Sequence, residues 1–94
     1  MKLRYTPQAR RDIDAIAEHI SERNPAASMR VGDRIRRTAE LLAEFPFKGH
    51  SGKLSGTQEF VIPGLPYIIV YRIDPMEERA IVIPGIHHGA QDRP

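Results

Sequence analysis

The chain begins with KLRY (residues 2–5), where Leu3 and Tyr5 alternate with basic side chains, the period-2 pattern of a short strand. From residue 7 the period lengthens. Ala9, Ile13, Ile16, Ala17 and Ile20 recur on one helical face, and Arg10, Arg11, Asp12, Asp14 and Glu18 cover the rest. Thr6 is suited to cap this helix, and Pro7 to its first position, where a missing N–H costs nothing. Pro25 disfavours helical geometry in the residue before it, so the helix must end near Asn24. The same Asn-Pro pair starts a second helix, with an apolar stripe of Ala27, Val31, Ile35, Thr38, Ala39 and Leu42. Residues 7–44 are expected to form an αα-hairpin.

The segment FPFKGHSGKLSGT (residues 45–57) breaks this periodicity with one proline and three glycines, and reads as a loop long enough to raise the question of function. Beyond it QEFVIP, PYIIVYRI and RAIVIP read as strands, with turns at Pro63-Gly64 and Asp74-Pro75. Pro63, Pro66 and Pro84 are expected at strand ends, because proline donates nothing to a ladder. Gly49, Gly56 and Gly64 are read as turn residues that need positive φ. The expected fold is therefore α+β: an N-terminal strand, the αα-hairpin, then a three-stranded antiparallel meander, with both helices on one face of the sheet. The segment 67–73 is apolar at nearly every position, so the face away from the helices is expected to dock another chain.

Composition narrows the possibilities modestly. The 94 residues suit a single domain spanning 1–94. Fourteen basic against 12 acidic side chains leave a formal charge of +2, which permits contact with nucleic acid without pointing to it. Without cysteine there is neither disulfide nor thiol chemistry, which fits a reducing, cytoplasmic setting. The N-terminus lacks the apolar core of a signal peptide, and the apolar runs fall far short of the roughly 20 residues that span a bilayer, so no membrane association is expected.

In order along the chain, YTPQARRDIDAI (5–16), NPAA (24–27), LLAEFPFKGHSG (41–52), GTQEFVIPGLPYIIVYRI (56–73) and HHGAQDRP (87–94) resemble the ParE toxins of type II toxin–antitoxin modules, within the wider RelE/ParE superfamily. The resemblance implies a helical hairpin on a small antiparallel sheet, and inhibition by a cognate antitoxin, expected to be of ribbon-helix-helix type, whose C-terminal segment wraps the toxin. It also implies one of two activities. ParE-type members poison DNA gyrase, whereas RelE-type members cut mRNA on the ribosome.

Cleavage of RNA by its 2′-OH needs a base, a cation for the charging phosphate and an acid for the leaving oxygen. RelE-type enzymes resemble this chain but carry arginines and lysines on the central strands. Here the comparable positions are Val61, Ile62 and Ile68, and the last strand holds Pro84 and Gly85 where many ParE-like chains have an arginine. The expected activity is therefore gyrase inhibition by binding, with no catalytic residue, cofactor or metal. The alternatives are an mRNA endonuclease that pairs His50 with His88 beside Lys48 or Lys53, and a non-toxic partner-binding member.

The residues expected at the antitoxin are Arg30, Arg34 and Arg37, at i, i+4, i+7 on the second helix, and Tyr67 and Tyr71, which alternate onto one side of their strand. Those expected at the target are Lys48, His50, Lys53, Arg72, His88, Gln91 and Arg93, with DNA reached only through the gyrase complex or the antitoxin. Glu59 is a possible ion-pair partner for Arg72. His87 and His88 point to opposite sides of an extended segment and so would chelate a metal poorly.

Overall fold

The computed structural model describes residues 1–76 and 79–89. Strand β1 (Lys2–Tyr5) leads into helices α1 (Pro7–Ser21) and α2 (Pro25–Glu44), followed by β2 (His50–Ser51), β3 (Gln58–Val61), β4 (Tyr67–Ile73) and β5 (Ala80–His88). Both helices start as the sequence predicts. The Thr6 hydroxyl accepts the Ala9 N–H, the Asn24 side chain accepts the Ala27 N–H, each at 3.1 Å, and a proline occupies each first turn. The Ser28 hydroxyl donates to the Ala17 carbonyl at 2.7 Å, tying the hairpin across its two arms.

The five strands form one sheet in the order β1-β5-β4-β3-β2. The meander β3-β4-β5 is antiparallel as expected. The sequence did not reveal that β1 joins β5 in parallel, with Leu3 opposite Ile81 and Tyr5 opposite Ile83. Nor did it reveal β2, which pairs His50 with Glu59 inside the segment read as a loop.

Pro84 corrects the expectation that prolines lie at strand ends: it sits within β5. Val70 pairs with Gly85 and Arg72 with Val82, so Ile83 and Pro84 together oppose Tyr71. This is a bulge, where a missing N–H is tolerated. Thr6 serves the same spot, because its N–H donates to the Ile83 carbonyl and its hydroxyl lies 3.2 Å and 3.1 Å from the Ile83 and Pro84 carbonyls.

The helices cover one face. Ile35, Ala39 and Leu42 of α2 and Ala9 of α1 pack on Ile62, Ile69, Tyr71, Ile81, Ile83 and Ile86. Each fully buried aliphatic side chain of this kind contributes about 1.5–3 kcal/mol by leaving water. Ile62, which the resemblance groups with Val61 and Ile68 as comparable to the cationic positions of RelE-type enzymes, is completely buried in this core. Gly56 and Gly64 adopt positive φ as expected, at 81° and 78°, and Gly49 does not. Among the described residues no helix is long and apolar enough to cross a membrane.

Candidate functional site

The surfaces on which chemistry or binding can occur are a cleft beside α1, the helix-free face of the sheet and the turn after α2.

The cleft exists because β1 is short. It ends opposite Ile83, which leaves the outer edge of β5 bare from there on. Asp12 of α1 fills part of the gap, its Oδ2 accepting the Ile86 N–H at 3.0 Å while Oδ1 accepts from Gln8 at 2.7 Å. Between α1 and this edge lies an open cleft of about 430 Å³, walled by Ile16 and His19 of α1, Tyr67 of β4, and Ile86 and His88 of β5. The rings of Tyr67 and His88 meet edge to face, with centroids 5.5 Å apart. Among the described residues no group of three or more His, Cys, Asp or Glu is disposed to hold a metal.

The helix-free face follows from the pleat. Leu3, Tyr5, Ile69, Tyr71, Ile81 and Ile83 point into the core, so their neighbours along each strand point away. Val61, at the end of β3, pairs with Ile68 on this outer face, near Val70 of the same strand as Ile68, and the buried Val82 pairs with Arg72 on one side and Arg4 on the other. Arg4 shares it and contacts Asp74 at 3.7 Å. At the far edge His50 stands opposite Glu59, which is buried, with Gly52 and Lys53 lying against its side chain. The Lys53 N–H meets the Glu59 carboxylate at 3.3 Å, and the Arg72–Glu59 pairing considered from the sequence does not form.

His50 and His88 are not brought together. Two strands separate β2 from β5, roughly 14 Å at strand spacing. They also lie on opposite faces, since His88 pairs with Tyr67 on the helix side. An acid–base pair of these two histidines is thus excluded by geometry.

The remaining expected site residues scatter. Tyr67 lines the cleft, but Tyr71 is only 1% exposed and belongs to the core rather than to the rim of a groove. Its hydroxyl accepts the Gly49 N–H at 2.9 Å and shares its own hydrogen between the Pro46 carbonyl at 2.8 Å and Gln58 at 2.9 Å. Arg30 and Arg34 border a smaller hollow of about 210 Å³ between α2 and the β3–β4 turn, where Arg34 donates to the Pro63 carbonyl at 2.8 Å. Arg37 is exposed, and Asp33 pairs with Arg36 at 2.8 Å. Lys48 and Lys53 are exposed. Gln91 and Arg93 lie outside the described residues.

Sequence reasoning missed Asp12 as the cap of the β5 edge, and the phenol of Tyr71 as the clasp of the turn after α2. It also missed Phe45 and Phe47, which that turn holds in solvent at 53% and 76% exposure. The motif FPF among glycines was the available signal, because two aromatics in a segment with no periodicity have no core to face.

Residues 3–93 match the family described as ParE toxin of type II toxin-antitoxin system, parDE. The chain belongs to the ParE toxin family. It is 37% identical over 93 residues to a Sinorhizobium fredii protein provisionally named toxin Y4kP, covering 99% of this chain and 93% of that one. It is 30% identical over 87 residues to toxin RelE2 of Caulobacter vibrioides, covering 93% of each. Among solved structures, the chromosomal ParDE system from P. aeruginosa superposes with a TM-score of 0.82 at 21% identity, covering 94% of this chain and 95% of that one, a likeness of fold. The RelBE2 toxin-antitoxin complex from Mycobacterium tuberculosis gives 0.62 at 25% identity, covering 93% and 95%. This ParE-family chain is thus similar to proteins of both the ParE and the RelE name.

Proposed function

We propose that this toxin acts by binding, that its target is DNA gyrase, and that a cognate antitoxin of ribbon-helix-helix type neutralises it in the cytoplasm. One observation carries the reading: on the helix-free face the neighbouring positions Val61, Ile68 and Val70 of β3 and β4 are aliphatic, and the arginines of that face, Arg4 and Arg72, stand on either side of the buried Val82. Phosphodiester cleavage needs charge stabilisers already in place, and the loss of one such group typically lowers the rate by about 10²–10³. The two histidines best suited to proton transfer are on opposite faces.

The antitoxin reading draws on the similar structures, a chromosomal ParDE toxin-antitoxin system and the RelBE2 toxin-antitoxin complex. The apolar face and the uncovered edge of β5 are suited to an added strand or helix from a partner. Tyr67 and the Arg30, Arg34 and Arg37 stripe remain the proposed antitoxin contacts. Lys48, His50, Lys53, Arg72 and His88 remain the proposed target contacts.

The test is to add the purified chain to gyrase and relaxed plasmid. Supercoiling should fail and cleaved plasmid accumulate, and cells expressing the chain should filament and induce the SOS response. Co-expression of a short neighbouring gene for a ribbon-helix-helix-like protein should restore growth. A second reading, ribosome-dependent mRNA cleavage, takes support from His50 standing opposite the buried Glu59 on the same face as Arg72. Immediate translation arrest with cut transcripts and untouched gyrase would establish that reading in place of the first.

A further inference from the structure

The turn after α2 displays Phe45 and Phe47 to water, yet it is held firmly. The Phe45 N–H donates to the Leu41 carbonyl at 2.8 Å, and the Lys48 N–H closes on the Phe45 carbonyl at 3.1 Å. The buried phenol of Tyr71 then grips the backbone on both sides of Phe47, at Pro46 and at Gly49. Neither phenylalanine belongs to the core cluster or packs against it. Residues 45–58 carry Lys48, His50 and Lys53 and no acidic side chain.

We infer that Phe45 and Phe47, set in place by the Tyr71 hydroxyl, are the apolar anchors with which the toxin engages its target protein, and that they enter an apolar pocket with an acidic rim. This rests on the proposed toxin role and goes beyond it by naming the contact and the surface it fits. Aromatic anchors in desolvated pockets dominate the energetics of protein interfaces. A backbone already fixed in the bound geometry avoids the ordering cost that a loose loop meets on association. Lys48, next to the rings, supplies charge complementarity to an acidic rim. Two lysines in this run are too few to neutralise the phosphates along a strand stacked on the rings, which favours a protein over a nucleic acid. Tyr71 does not touch the target; it is a positioning residue.

The experiment compares wild type with Phe47→Ala, with Phe45→Ala/Phe47→Ala and with Met76→Ala, a control at a side chain that is 92% exposed. Growth after induction and inhibition of purified gyrase are measured together, with circular dichroism to verify the fold. Because both rings are outside the core, their truncation should leave the spectrum and melting temperature unchanged. Phe47→Ala should weaken both readouts about tenfold or more, the double variant should abolish them, and Met76→Ala should match wild type. Tyr71→Phe, assayed where it is fully folded, should weaken inhibition less than Phe47→Ala. Adding it to Phe47→Ala should cost less than it costs the wild type, because only Phe45 is left to be positioned, whereas a merely structural role would give additive losses. Benzoylphenylalanine at position 47 should crosslink to purified gyrase.

Growth arrest that persists in the double variant overturns the inference, as does crosslinking to DNA alone. A wild-type chain that arrests growth while sparing gyrase removes the gyrase reading and leaves the anchors to be judged by the same variants on growth. A wild-type chain that arrests nothing removes both.

Discussion

The Tyr71 hydroxyl accepts the Gly49 N–H at 2.9 Å, and a Cβ built on Gly49 would lie 2.5 Å from that same oxygen and 2.8 Å from the Glu59 carbonyl. The glycine is there because a buried phenol and a strand carbonyl approach too closely for any side chain. Tyr71→Phe is expected to keep the fold and lower stability by about 1–3 kcal/mol, since a partly buried N–H loses its acceptor. Gly49→Ala should cost about 1–3 kcal/mol by overpacking and should loosen the turn that carries Phe45 and Phe47. Urea unfolding curves give the energies, and amide exchange at Gly49 reports the loosening.

Thr6 caps α1 and also holds the β5 bulge through the Ile83 and Pro84 carbonyls. Loss of a helix cap alone costs about 0.5–2 kcal/mol. Thr6→Ala should therefore exceed the usual cap loss, and Thr6→Ser, which keeps the hydroxyl, should recover most of it. Denaturant midpoints of the two variants make the comparison.

Asp12 occupies the place where β1 would have continued, so its carboxylate stands in for a strand carbonyl at the Ile86 N–H. Asp12→Asn keeps an acceptor and should be mild. Asp12→Ala leaves a partly buried donor bare, with an expected loss of about 1–3 kcal/mol. Hydrogen exchange at the Ile86 amide should accelerate in the alanine variant alone.

Burial raises the pKa of the Tyr71 phenol above 10.0, against the lowering effect of the Gly49 N–H, and burial raises that of Tyr5 as well, assisted by Glu40 and opposed by Arg36. The folded chain thus holds these protons more tightly than the unfolded chain does. The stability they contribute is intact below pH 10.0 and is lost as the pH climbs through the raised values. Unfolding curves across that range should show falling midpoints, and Tyr5→Phe should flatten the decline. Tyrosinate absorbance should also rise later in the folded chain than in urea.

Much of the molecule was legible locally. Thr6-Pro7 and Asn24-Pro25 set the helix starts, the stripe from Val31 to Leu42 chose the face of α2, and short apolar runs bounded by Pro63-Gly64 and Asp74-Pro75 marked β3, β4 and β5. The site was less so. Tyr71 looked available because alternation gives a side for each residue but not the identity of what covers that side. His50 and His88 looked like a possible pair because distance along the chain says nothing about which strands intervene.

The sequence alone determined the two helices, strands β1, β3 and β4, the start of β5 and the family, because caps, prolines and apolar patterns act over a few residues and are written where they operate. Tertiary structure alone decided that β1 lies parallel to β5, that β5 bulges at Pro84, that Ile62 is core and that the Tyr71 phenol holds the turn bearing Phe45 and Phe47. Each of these depends on which distant segment comes alongside. That choice is made by the free energy of burying the whole core at once, and no short window of residues carries it.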